Sequence, residues 1–236
     1  GSPAALRRTA EATFDHYRFN ADAGHEYLPL VAARLGSAER CRTALFQFAQ
    51  FFQSFDQGLF NYYDMFGNKD EDSSNHEGLH PYLEASGIFA ASVNEMLLQG
   101  HDPSESARGE GRFGAIRVFP ATPEHWPARF ILRAPGSFLV ASEHRAGGDI
   151  PYILVQPVGG AVRSCRVVIP WKGGAIVEAN GKRVPGKTRR GTLVFVAVPD
   201  VVYAVLPKGR RLADVPTVQI GYTTAYSPSR LGAIWY

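Results

Sequence analysis

The period of the hydrophobic pattern changes once along this chain, and that change limits the possible folds more than any other feature. Up to about residue 100 apolar side chains recur at helical spacing, and after about Gly111 they alternate or fall in short runs. A first stripe carries Leu6, Ala10, Phe14 and Tyr17, and a second carries Tyr27, Leu30, Val31 and Leu35 and stops at Gly36. Ser37 is a candidate N-cap for a third helix bearing Cys41, Ala44, Leu45, Phe48, Phe51, Phe52 and Phe55. So wide an apolar face predicts a deeply packed helix. A fourth runs from about Ser86 to Gln99, with Phe89, Val93, Met96 and Leu97 inward and Gly100 as the stop.

Beyond the switch the predicted strands are 116–119, 130–134, 138–144, 152–157, 161–169, 175–179, 192–198, 201–206 and 217–222. Turn signals separate them, among them Gly147-Gly148, Gly159-Gly160 and Asn180-Gly181, the last a good type I′ hairpin turn. Strands this short and this evenly spaced predict an antiparallel β-sandwich. The fold class is therefore α+β, with a helical segment over 1–110 and a β-sandwich over 111–236.

Charge divides at the same boundary. Residues 1–110 hold 8 Lys/Arg against 16 Asp/Glu, and residues 111–236 hold 17 against 6. The whole chain is only +3, which is small for a nucleic-acid binder, and its 12% aromatic content excludes a disordered chain. No run of about 18 apolar residues is present, so no transmembrane helix and no membrane partner are expected. The chain opens Gly1-Ser2-Pro3, without Met, and reads as a cut end. Cys41 falls on a helical stripe and Cys165 in a strand, and both are expected to be buried thiols.

Chemistry is expected in the segment 57–84, which is too long for a plain connector. It mixes aromatics, acids and two histidines. Glu84 closes it at the start of the fourth helix, where the helix dipole favours a charged carboxylate suited to act as a general base. The bland alternative is that Glu84 only supports the helix start. His76-Glu77-Gly78-Leu79-His80 matches H-E-x-x-H in letters, but Gly78 inside it and Pro81 directly after it oppose the helix that zinc binding there requires. Asp70-Glu71-Asp72 lacks EF-hand spacing and reads as a solvated loop tip. No metal and no cofactor are expected. The basic run Lys182, Arg183, Lys187, Arg189 and Arg190 lies around a hairpin and reads as a charge-protected strand edge; without interleaved aromatics, no nucleic-acid partner is expected.

Three stretches carry a resemblance: His80-Pro81-Tyr82-Leu83-Glu84-Ala85-Ser86-Gly87, then Glu95-Met96-Leu97-Leu98-Gln99, then Phe119-Pro120-Ala121-Thr122-Pro123 with Trp126. In this order they resemble the C-terminal part of glycoside hydrolase family 95 and its uncharacterised relatives, over roughly residues 55–205. The resemblance implies the last helices of an (α/α)6 barrel, a C-terminal sandwich, and hydrolysis of a glycosidic bond, with fucosidase activity as the founding example. Aligned on E-M-L-L-Q, Glu84 takes the place of that family's catalytic Asp, and Ala85-Ser86-Gly87 departs from its Gly-Asn-Phe.

The expectation is thus the C-terminal portion of a glycoside hydrolase acting on a carbohydrate, with Glu84 as general base. His76, Glu77, His80 and Tyr82 would contact or support the sugar, and Tyr62, Tyr63 and Tyr82 would stack on it. An inverting reaction needs a separate general acid. A twelve-helix barrel needs roughly 300 residues or more. The acid and the remaining N-terminal part of the enzyme are therefore expected upstream, and the whole is expected to be secreted or periplasmic. A polysaccharide lyase using Asn75, His76 and Tyr82, with the basic sandwich attracting an acidic polymer, and a non-catalytic carbohydrate-binding module are the alternatives.

Overall fold

The computed structural model describes residues 4–17, 27–52, 83–100, 114–215, 230–231 and 234–235. It is a mixed α+β protein with antiparallel sheets, helices first and strands second. Among the described residues no helix is long and apolar enough to cross a membrane.

The helices are α1 (Ala4–His16), α2 (Leu28–Arg34), α3 (Ala38–Phe52) and α4 (Leu83–Leu97). The stop read at Gly36 is a Schellman cap: Gly36 N–H donates to Ala33 O at 2.9 Å and Ser37 N–H to Ala32 O at 3.0 Å. Gly36 supplies the positive φ of 69° that this cap requires. On α3 the predicted face is buried at Cys41, Ala44, Leu45 and Phe48. On α2 the large residues of the stripe are not the buried ones. Pro29, Ala32 and Ala33 are buried, while Tyr27 and Val31 are exposed. Small residues allow α2 to pack against α3 and α4, so that contact is made by the side chains least visible in a hydrophobic pattern. Helix α1 buries no residue. It is tethered by polar contacts: Arg7 Nη2 donates to Leu35 O at 2.9 Å, and Arg40 pairs with Asp15 at 2.6 Å and lies over the Phe14 ring.

Helix α4 begins at Leu83, about three residues before the expected start, and ends at Leu97. Its last predicted residues leave the helix because Leu98–Gln99 form strand β1, paired with β2 (Arg117–Val118). A long-range partner there outcompetes local helix propensity.

The remaining strands are β3 (Ala128–Ala134), β4 (Phe138–His144), β5 (Ile153–Pro157), β6 (Arg163–Val168), β7 (Ala175–Ala179), β8 (Lys182–Val184), β9 (Gly186–Arg189), β10 (Thr192–Ala197), β11 (Tyr203–Pro207), β12 (Arg230–Leu231) and β13 (Ile234–Trp235). One sheet has the order β3-β4-β5-β11-β7-β8 and another β6-β10-β9, and β12 pairs with β13. Strand β4 alternates strictly, with Phe138, Val140, Ser142 and His144 inward. The inward residues of the two larger sheets, such as Val140 and Val155 from one and Cys165 and Phe195 from the other, meet in a single apolar cluster. Asn180 and Gly181 have φ of 50° and 71°, the two positive values a type I′ turn demands between β7 and β8. The predicted strand 217–222 lies outside the described residues.

Candidate functional site

Glu84 stands in the first turn of α4, one residue inside the helix instead of just before it. Its side chain is exposed and has no hydrogen bond or ion pair among the described residues. The four leading N–H groups of a helix lack internal acceptors, and their partial positive charge stabilises a carboxylate placed there. An exposed carboxylate in that place can accept a proton from water. The rest of the candidate site, His76, Glu77, His80, Tyr82, Tyr62 and Tyr63 with the segment 57–82, lies outside the described residues, as do Asn75 and Asp70-Glu71-Asp72. Among the described residues no cluster of three or more His, Cys, Asp or Glu could hold a metal ion.

The two motifs downstream of Glu84 come together in space, and they form a joint. Met96 O accepts from Ala121 N at 3.3 Å and from Thr122 Oγ1 at 3.1 Å, and Leu97 O accepts from Phe119 N at 2.6 Å. Gln99 Nε2 donates to Ala33 O at 2.8 Å and Glu95 O at 2.9 Å, and the Glu95 carboxylate pairs with Arg34 at 3.2 Å. Ala121, with no exposed surface, fills the cluster of Ala32, Ala33, Cys41, Leu45 and Met96. A β-carbon on Gly36 would lie 3.3 Å from Pro120 O, so the end of α2 is pressed against the same segment. Trp126 turns back through Trp126 N to Pro123 O at 3.0 Å and meets the edge of Phe46 at 5.9 Å. Its carbonyl accepts from Nδ1 of the buried His144 at 2.7 Å. These residues fix α4, and with it Glu84, against the strand half; none of them is free for chemistry.

A second polar group was not singled out by sequence. On the outward side of β3 and β4, Arg129 faces Glu143 across the ladder and reaches its carboxylate at 3.3 Å, and Arg145 does so at 3.0 Å. Arg145 and Arg210 also approach Asp149. Burial works to raise the Glu143 carboxyl, but the two guanidiniums outweigh it and hold it below the usual carboxylate range. The neighbouring Tyr152 phenol has no exposed surface and no hydrogen-bond partner among the described residues. Burial first, and then the Glu143 charge, push it above the ordinary tyrosine value. The alternation of β3 and β4 would have placed Arg129 and Glu143 on one face, but not in register.

The expected buried thiols are found at both positions. Cys41 and Cys165 are free and buried, and burial pushes each up to about 12, which leaves no thiolate for catalysis near neutral pH. No known family model matches the chain, and no curated protein is similar to it.

Proposed function

We propose that the chain carries barrel helices and the β-sandwich of a glycoside hydrolase, with Glu84 as the base that activates water. The observation that carries this reading is an exposed carboxylate in the first turn of α4, free of ion pairs among the described residues, on a helix locked to the strand half by the joint around Met96. Rigid anchoring of the element that bears a general base is what catalysis requires, since small displacements of a reacting group lose rate. Two of the three stretches that suggested the family resemblance touch each other, which supports their being a single structural unit. The sandwich reading is supported by the core shared between the six-stranded and three-stranded antiparallel sheets.

The reaction would be an inverting displacement in which Glu84 takes a proton from water on one face of the sugar and a general acid protonates the leaving oxygen on the other. His76, Glu77, His80, Tyr82, Tyr62 and Tyr63 are proposed to bind and orient the sugar. Glu84→Gln in the full product of the gene, assayed on aryl glycosides and plant or bacterial oligosaccharides, is expected to lower kcat by about 100- to 10,000-fold with little change in thermal stability. Turnover within a few-fold of the unmodified enzyme overturns the base assignment.

A further inference from the structure

Strand β9 is an outer strand of its sheet and, among the described residues, pairs with β10 alone. Its hairpin to β10 has a two-residue loop, Arg190-Gly191, with φ of 49° and 76°, the two positive values of a type I′ turn. The pair closing such a loop, here Arg189 and Thr192, exchanges both ladder hydrogen bonds, and bonded and unbonded pairs then alternate along the strands. Lys187 and Val194 form the next bonded pair, so the N–H and C=O groups of Gly186 and Thr188 point away from β10, toward the free edge. Among the described residues no other backbone hydrogen bond reaches them. All four residues of β9 are exposed.

The two faces of β9 differ. Side chains directly opposite one another share a face, so Lys187 and Arg189 stand with Val194 and Thr192 on the outer side, and Thr188 stands with the buried Leu193 on the inner side. Lys187 and Arg189 are two residues apart, roughly 7 Å. Neither forms an ion pair among the described residues, and the three strands of this sheet hold no acid. On the inner side a cleft of about 370 Å³ is lined by Val177, Val184 and Leu193, together with Gly186 and Thr188 of β9 itself. Gly186 leaves room there, since a β-carbon would meet Leu193 Cδ1 at 3.0 Å.

An open backbone edge with cations on one face and an apolar cleft on the other fits an extended polypeptide whose side chains alternate between acidic and apolar. We infer that β9 receives such a strand from an acidic partner protein, with Gly186 and Thr188 making the main-chain hydrogen bonds. In the added strand the acids lie on the outer side, across from Lys187 and Arg189, and the apolar side chains turn inward toward the cleft. Charge on an edge strand is also a guard against unwanted pairing. The guard is selective here: a second β9 would bring cation against cation, whereas an acidic strand gains a cross-strand ion pair at each outward position. A polyanion without a peptide backbone meets the cations but leaves the edge groups of Gly186 and Thr188 unmatched. The inference stands apart from the glycosidase reading and from Glu84.

The test is fluorescence anisotropy of the whole chain with a labelled heptapeptide that alternates glutamate and valine. A peptide of the same composition with its glutamates grouped at one end, and the alternating peptide with lysine in place of glutamate, serve as comparisons. The alternating acidic peptide is expected to bind at least about tenfold tighter than either. Thr188→Pro removes an N–H on the free edge, a place where strands tolerate proline, and is expected to weaken binding at least about tenfold while the β9–β10 ladder persists. Lys187→Glu with Arg189→Glu changes only exposed side chains. It is expected to weaken the acidic peptide by a similar factor and to favour the lysine peptide instead. Equal binding of the grouped peptide, or undiminished binding in both variants, overturns the proposal. Dimerisation of the chain alone that Thr188→Pro abolishes would assign the edge to a second copy and overturn it as well.

Discussion

Leu6 on α1 is 62% exposed and Phe195 on β10 is 3% exposed, although each lies on the apolar face that its own periodicity predicts. The contrast is strongest at the first helices, since α3 and α4 bury Phe48, Leu45, Ile88 and Met96. Helix α1 buries nothing, α2 buries only proline and alanines, and Phe46 of α3 stands outward. The strand half closes on one large cluster to which both major sheets contribute. Periodicity tells which face of an element is apolar; it does not tell whether anything covers that face. A strand brings its neighbour with it through a hairpin, and two sheets can cover each other. A helix depends on elements farther away in the chain.

The largest expected effect follows from this contrast. Phe195→Ala removes a ring packed 5.2 Å from that of Tyr203, in the buried core to which both larger sheets contribute. It is expected to cost about 3–5 kcal/mol. Leu6→Ala is expected to stay within about 0.5 kcal/mol, the usual range for exposed positions. Urea unfolding of both variants checks the difference. Equal losses would mean that α1 is covered in solution and that the two halves are packed alike.

The next effect uses the thiols, because each half holds one. Cys41 lies in a small cluster with Ala32, Ala33, Leu45, Met96 and Ala121, and Cys165 in the large strand core. Both are kept protonated by burial, so alkylation in native conditions at pH 8 must wait for opening. In the single-thiol variants Cys165→Ala and Cys41→Ala, Cys41 is expected to react at least about tenfold faster than Cys165, a difference of about 1.4 kcal/mol in opening free energy. Identical rates would show that the joint from Met96 to Thr122 makes the halves one cooperative unit.

Much of the fold was legible in the sequence, and the exceptions have physical reasons. The Gly36 stop and the Asn180-Gly181 turn were readable because few residues tolerate the backbone angles found there. Strands β8 and β9 were not resolved as separate strands within the basic run, since Gly-Lys-Thr-Arg carries no apolar alternation and the β9–β10 turn uses Arg190 at a φ of 49°, unusual for arginine. The pairing of Leu98–Gln99 with β2 was hidden because it overrides a helical pattern. At the candidate site, Glu84 was recognisable from its place at a helix start. The role of Thr122, His144 and Gln99 in fixing that helix was not, because a hydrogen bond between distant residues leaves no periodic trace. Sequence reading also assigned the E-M-L-L-Q and Pro-Ala-Thr-Pro letters to a family signature without showing that they touch.

The smallest effect sharpens the comparison from the polar side, by asking whether the strand half owes its stability to charge as well as to burial. Glu143 accepts from Arg129 and Arg145 and is itself 13% exposed, so it is the described carboxylate with the best case for contributing. Its folded pKa is held below the unfolded value, so the ionised form favours the folded state. That contribution is fully present above the unfolded glutamate value of about 4.3 and is lost as pH falls through the lower folded value. Both arginines are about half exposed and well screened, so Glu143→Gln is expected to cost no more than about 1 kcal/mol at pH 7. The gap between the two proteins should then close as pH drops below about 4. Thermal melts from pH 7 to pH 3 measure it. A gap that stays constant over this range would assign the loss to packing beside Tyr152. A gap of several kcal/mol at pH 7 would place electrostatics beside burial as a source of the strand half's stability.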